Sequence, residues 1–302
     1  MAPTHLSAMN ASDSAPPPQS CDCHAHIMFG PDKYPYIADK VYAIDEALPE
    51  DYWAMARDIG ISRAVITAPS AYGTNNAALL DTIAMDPKNT RGVASVAYDV
   101  STAELESLHK QGIRGVRCNL VDKKHGKGTL DLDLIRGLAR RLKPLGWHIE
   151  FLMQVDAHPD LDMQLKDFPV PVSFGHFGYV VPTTKGTGSA GFQALLRLVR
   201  DEVAYVKLTA PYRLTPSHPP HPEVKEFGIA LVEANSRQML WGSDWPFVVP
   251  LPGGPTGPYK DTGLDRPKPI ARSMYEVFRS WVDAETAHRI LVENPNRLYQ
   301  FE

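Results

Sequence analysis

The chain has 302 residues, 43% hydrophobic and 22% charged, with 31 Lys+Arg against 35 Asp+Glu for a formal net charge of −4. This composition excludes disorder, a collagen-like repeat and a small disulfide scaffold, and the balanced charge offers no basic stripe for nucleic-acid phosphates. The longest apolar runs are strand-sized, short of the roughly 20 residues that cross a bilayer, so neither a membrane nor a nucleic acid is expected as a partner.

Residues 1–20 are rich in Ala, Ser and Pro and lack both the basic start and the apolar stretch of a signal peptide. They read as a flexible arm ahead of one domain over 21–302. From there apolar, β-branched runs alternate with helical stretches. Strands are expected over 21–28, 63–69, 91–98, 115–120, 147–154, 171–176, 204–210 and 238–244. Helix-like segments between them include EDYWAMARDIG, AALLDTIAMD, TAELESLHKQG, DLDLIRGLARRLKPLG and PEVKEFGIALVEAN, several ending in Gly or Asn as helix C-termini do. Eight strand–helix units in one α/β chain predict a single-domain (β/α)8 TIM-like barrel. Long Pro/Gly-rich segments at 211–223 and 247–269 follow strands seven and eight and belong at the C-terminal face, as lids or as plain surface excursions. The stretch 272–302 should be helical and pack on the outer ring.

The chemistry-bearing residues fall at strand ends. Alternation puts Asp22, His24 and His26 on one face of strand one and Cys21 and Cys23 on the other, so CDCHAH cannot act whole as a zinc site. Cys21, Cys23 and Cys118 cannot all pair, which suits a reducing, cytoplasmic setting. His176 closes strand six in SFGHFG, and Asp244 closes strand eight in LWGSDWPF. In a barrel these positions converge with His24 and His26 at the mouth where catalysis occurs. The bland reading of Asp244 is a helix N-cap, although Trp245-Pro246 and a long loop follow it. Strand four carries Arg117 and Asn119 on one face. His148 falls at the start of strand five, the wrong end for a site.

The HAH of strand one, FGPDKYPY, IRGVRCNL, SFGHFG, VKLTAPYRLT, GSDWPF and ENPNRLYQF together resemble the amidohydrolase superfamily over everything after the arm. Within it they look most like the lactone hydrolases related to the 2-pyrone-4,6-dicarboxylate lactonases. The resemblance implies that His24, His26 and His176 polarise a lactone carbonyl and that Asp244 activates water. It further implies that Arg117 and Arg213 grip substrate carboxylates, that Tyr42 lines the pocket, and that no metal or other cofactor is needed. Two positions depart from that pattern: Lys123 and Tyr179 stand where the pyrone lactonases have arginines. A lysine is a point charge and a tyrosine offers only a hydroxyl, so a small anionic lactone with fewer or differently placed acidic groups is expected, from aromatic or sugar-acid breakdown.

Alternatives remain open on the residues alone. His24, His26, His176 and Asp244 could hold one zinc or manganese ion in a metal-dependent hydrolase or decarboxylase. A lactone isomerase would use the same groups without consuming water, and a non-catalytic binding protein would keep the arginines alone. A homo-oligomer is compatible with the sequence, though no residue demonstrates one.

Overall fold

The computed structural model describes residues 15–40, 45–121, 130–181, 186–215, 217, 219–250, 256–257 and 270–302. Its centre is an eight-stranded sheet in sequence order. The strands are β1 (Cys21–Ala25), β2 (Arg63–Thr67), β3 (Thr90–Ala94), β4 (Ile113–Asn119), β5 (His148–Leu152), β6 (Val172–Phe174), β7 (Ala204–Thr209) and β8 (Met239–Gly242). Each neighbouring pair is parallel, so all eight C-terminal ends share one rim. The ring is drawn together at that rim: Asp244 N–H donates to the His24 carbonyl and His26 N–H to the Trp245 carbonyl, both at 2.8 Å. The expected (β/α)8 barrel is therefore observed.

Closure requires β8 to press against β1. At Gly242 a Cβ would lie 2.7 Å from the His24 backbone nitrogen and 2.8 Å from its Cβ, so a side chain there would push the two strands apart.

The outer layer is helical: α1 (Pro49–Ile59), α2 (Ala77–Met85), α3 (Thr102–Lys110), α4 (Leu132–Leu142), α5 (Leu161–Leu165), α6 (Ala190–Arg200), α7 (Pro222–Asn235), α8 (Ala271–Arg279), α9 (Ala284–His288) and α10 (Asn294–Tyr299). Helix α4 shows why. Ile135, Leu138, Ala139 and Leu142 recur at i, i+3, i+4 and i+7 and are buried, while Asp131 caps the start by accepting from Leu134 N–H at 3.1 Å. The C-terminal stretch forms α8 to α10 as expected, and its end closes the opposite face of the barrel, where Arg63 donates to the Glu302 carbonyl.

Several expected strands are shorter than the apolar runs that suggested them. Beyond Ala25 the chain leaves the sheet, and Met28 bridges Ala47 instead of continuing beside β2. Beyond Ala94 the Ser95 N–H donates to the side chain of Asn76. Among the described residues no strand continues the sheet past the rim there, so apolar character alone overstates strand length.

Ser20 is buried, and its carbonyl accepts from the N–H groups of Ser62 and Arg63, which ties the end of the N-terminal segment to β2. Residues 1–14 of the expected arm lie outside the described residues. So does most of the long segment after β8, whose described portion forms a short antiparallel pair, β9 (Val249–Pro250) with β10 (Thr256–Gly257). Among the described residues no helix is long and apolar enough to cross a membrane.

Candidate active site

Four expected residues meet at the rim. Asp244 Oδ1 lies 3.5 Å from His24 Nε2, 3.7 Å from His26 Nε2 and 3.9 Å from His176 Nε2. His24 and His176 are fully buried and Asp244 is 3% exposed, yet the Nε2 atoms of His24 and His176 have no hydrogen-bond partner. Three ring nitrogens and one carboxylate oxygen thus face a common point at distances too long for direct hydrogen bonds. A buried polar atom left without a partner is costly, so this arrangement is built for something that enters the pocket.

Each group is held from behind. Asp244 Oδ2 accepts from Tyr212 Oη at 2.6 Å and lies 3.5 Å from Arg213 Nε, which leaves Oδ1 facing the histidines. His26 Nδ1 donates to the Thr67 carbonyl at 2.8 Å, and His176 Nδ1 is 2.6 Å from Thr209 Oγ1. His24 Nδ1 is 3.2 Å from the ammonium of Lys207, which also donates to Glu150. Asp22, on the same strand face as His24, does not reach the mouth. Its carboxylate accepts from Ser243 Oγ at 2.5 Å, from Ser243 N–H at 2.9 Å and from His24 N–H at 3.1 Å, bracing β1 to β8.

The backbone is strained in the same place. His176, Phe177, Tyr179, Ala210, Asp244 and Phe247 all have φ between 51° and 68°. Such conformations cost of order 1–3 kcal/mol each for residues other than Gly and persist where surrounding contacts over-determine them. Asp244 at φ 58° is not a helix N-cap; its side chain points into the pocket.

Arg117 is nearly buried: its Nη1 donates to the Ala68 carbonyl at 3.2 Å, and its Nε is 4.0 Å from Glu150. Arg213 donates through Nε and Nη2 to the Val248 carbonyl, at 3.0 and 2.8 Å. Tyr179 stacks edge-on to His176 with centroids 5.9 Å apart. Tyr42 and Lys123 lie outside the described residues. His148, buried at the start of β5, faces Tyr299 of α10 and is remote from the rim, as expected.

Burial dominates the protonation of this cluster. It holds His24, His26 and His176 well below the ordinary 6.5 and His148 at about 4, while raising Asp244 from 3.8 to about 6. At neutral pH the site therefore has neutral imidazoles and an ionised Asp244. Because the four histidines bind protons more weakly folded than unfolded, the unfolded chain takes up more protons below pH 6.5 and stability falls as pH drops from there. Asp244 has the opposite sign and offsets part of the loss only between about 6 and 3.8. The thermal midpoint is expected to fall between about pH 7 and 5. A calorimetric series across that range checks it, and a flat profile would contradict the burial of neutral imidazoles.

By chemistry and proximity, His24, His26 and Asp244 could hold one metal ion: their ligand atoms lie within 4.8 Å of one another, and His176 Nε2 is close by. His26 suits that role, since its Nδ1 proton goes to a carbonyl. His24 does not. A ligating imidazole donates its other ring N–H to an acceptor, but the group within hydrogen-bond distance of His24 Nδ1 is the Lys207 ammonium at 3.2 Å, which only donates, with Glu150 Oε1 farther away at 3.6 Å. Taken whole, the set fits a resident metal poorly.

A closed barrel whose rim gathers three neutral imidazoles, an ionised carboxylate and two arginines has the makings of an enzyme site of the water-activating, acid–base kind. The chain belongs to the amidohydrolase family, whose model matches residues 21–301. Among curated relatives, 4-sulfomuconolactone hydrolase of Rhizobium radiobacter is 30% identical over 287 residues, covering 94% of this chain and 90% of that protein. A protein of Comamonas testosteroni named 2-pyrone-4,6-dicarboxylate hydrolase is also 30% identical, over 298 residues, with the same coverage. The solved structure described as a probable 2-pyrone-4,6-dicarboxylic acid hydrolase of Acinetobacter baumannii, with citric acid bound, superposes with a TM-score of 0.77 at 26% identity, covering 94% of this chain and all of that one.

Proposed function

We propose that the protein hydrolyses the ring ester of a small anionic lactone. The observation that carries this reading is the convergence of three imidazole Nε2 atoms on Asp244 Oδ1 in a buried pocket beside Arg117 and Arg213. The lactone hydrolases among its relatives support the substrate class.

In this mechanism the ionised Asp244 takes a proton from a water molecule as that water attacks the ring carbonyl carbon. Positive and hydrogen-bond-donating groups at the rim stabilise the oxygen on which negative charge develops, and because they are fixed beforehand they favour the transition state over the ground state. Collapse of the tetrahedral adduct breaks the ring C–O bond. The proton held by Asp244, whose value near 6 makes it a competent acid as well as a base, returns to the departing oxygen.

Arg117 orients the substrate through its acidic group. Charge-assisted hydrogen bonds of this kind contribute about 1.5–3 kcal/mol, so Arg117→Met is expected to raise KM by about 10-fold or more with a smaller change in kcat. An unchanged KM would remove Arg117 from substrate binding.

We also propose that the reaction needs no resident metal. Support comes from the cations held against the donors: Lys207 behind His24 and Arg213 beside Asp244 would each repel an ion placed among these groups. The three buried cysteines, none of them in a disulfide, favour a reducing, cytoplasmic location.

The decisive experiment presents carboxylated and sulfonated lactones to the chelator-treated protein and follows acid release and product mass, then repeats the screen with zinc or manganese. Gain of one water in the product supports hydrolysis, and an unchanged mass means isomerisation. Activity that appears only with metal overturns the metal-free mechanism.

A further inference from the structure

We infer that Lys207, on β7, is a positioning residue that fixes the ring proton of His24 on Nε2, making His24 a hydrogen-bond donor to the substrate oxygen and barring it from binding metal. Two side chains of the barrel interior take no part in the hydrolytic steps. Lys207 and Glu150 are fully buried inside the barrel, one on β7 and one on β5, and are paired with each other. A buried ion pair is weak evidence for stability, because desolvation offsets most of its attraction, so its placement calls for another reason. The pair lies directly beneath His24: Lys207 Nζ is 3.2 Å from Nδ1, and Glu150 Oε1 is 3.6 Å from the same nitrogen.

An ammonium group has three hydrogens to give and no lone pair. The nearer neighbour of His24 Nδ1 is therefore a pure donor, and Nδ1 must accept. In a neutral imidazole the single ring proton then sits on Nε2, the buried atom that faces Asp244 Oδ1 and has no partner of its own. His26 is set the other way. Its Nδ1 faces the Thr67 carbonyl, which can only accept, so the Nδ1 proton stays there and Nε2 shows the pocket a lone pair.

The two histidines of one strand, two residues apart, thus present opposite polarity. His24 N–H meets the carbonyl oxygen of the lactone. The His26 lone pair, instead of polarising the carbonyl as the resemblance implies, joins Asp244 in receiving the hydrogens of the attacking water. The tautomers rest on geometry alone; only their kinetic consequence rests on the lactone-hydrolysis reading.

Glu150 stands ready to reverse the assignment. Without Lys207, its carboxylate becomes the natural acceptor for a proton on Nδ1. The resulting carboxylate–imidazole pair would turn the Nε2 lone pair of His24 toward the pocket beside those of His26 and Asp244, the arrangement in which histidine binds metal. Lys207 is then the side chain that keeps a potential metal centre working as a site for a carbonyl group.

Nitrogen NMR of histidine-labelled, chelator-treated protein tests this, with the His24 signals assigned by their loss in His24→Gln. In the wild type His24 should show a protonated, pyrrole-type Nε2 and an unprotonated, pyridine-type Nδ1. In Lys207→Met the two should exchange, and they should do so also in Glu150→Gln/Lys207→Met, where the amide oxygen of the new side chain can take the carboxylate's place as acceptor for a proton on Nδ1. Zinc binding by equilibrium dialysis should tighten by about 10–100-fold in the variants. Turnover of the lactone should fall by about 10²–10³-fold with KM little changed, as for loss of one donor to the oxyanion.

A wild-type His24 protonated on Nδ1, or a pattern unchanged in a folded variant, overturns the inference. Should the NMR pattern hold while no lactone is turned over, the hydrolytic reading fails and the role of Lys207 stands.

Discussion

Replacing Asp244 by Asn is expected to lower kcat by about 10²–10⁴-fold while KM for the lactone stays within a few-fold. The substitution keeps shape and removes only basicity. Tyr212, 2.6 Å from Oδ2, can still donate to an amide oxygen, so the side chain has no reason to turn away. What disappears is the carboxylate that, among the described residues, is anionic at neutral pH and faces all three imidazoles. Because burial raises Asp244 to about 6, kcat/KM of the wild type should rise with pH and reach half its maximum near that value, as the carboxyl loses its proton in the free enzyme. The Asn variant should lose this inflection along with its rate. Steady-state kinetics from about pH 5 to 8 separates the alternatives: a variant with near wild-type kcat would move the base to another group, His26 being the nearest lone pair.

Much of this site is legible in the sequence because strand alternation and barrel topology are rules of placement. His24 and His26 two residues apart, His176 at the end of β6 and Asp244 after β8 need only the closing of a parallel ring to meet. What alternation cannot supply is which groups stand behind them. Lys207 and Glu150 each sit within an apolar strand run, AYVKLT and HIEFL. A charge in a buried strand is a signal, since burial without a partner is prohibitive, but the partner lies 57 residues away and only the fold pairs them. Tyr212 is adjacent to Arg213, and the sequence favours the arginine as the charged candidate. In the structure it is the tyrosine that makes the short hydrogen bond to Asp244.

The backbone at the rim is illegible for a different reason. Positive φ is usually announced by Gly or Asn, yet here His176, Phe177, Tyr179, Ala210 and Asp244 adopt it. Local preference is overruled by tertiary contacts, among them the Asp244 N–H to His24 carbonyl bond and the Thr209 hydroxyl against His176. These are the positions at which sequence-level rules are expected to fail, because the site is where a fold stores strain.

His176 is where that strain should have a measurable return. Its backbone N–H donates to Thr209 Oγ1 at 3.3 Å, and the same hydroxyl lies 2.6 Å from Nδ1; with the hydroxyl hydrogen given to Nδ1, the ring N–H of His176 faces the pocket from Nε2. A preorganised donor at a developing oxyanion is worth about 10²–10³ in rate, and His176→Asn is expected to lose that much in kcat with little effect on KM. Thr209→Val, which keeps the imidazole but frees its tautomer, should lose less. Combined with Asp244→Asn, the His176 change should cost far less than the product of the two single losses, because donor and base serve one transition state and neither is useful alone. Single-turnover rates of His176→Asn, Asp244→Asn and their combination measure that coupling. Fully additive losses would mean that His176 acts on a step other than carbonyl attack.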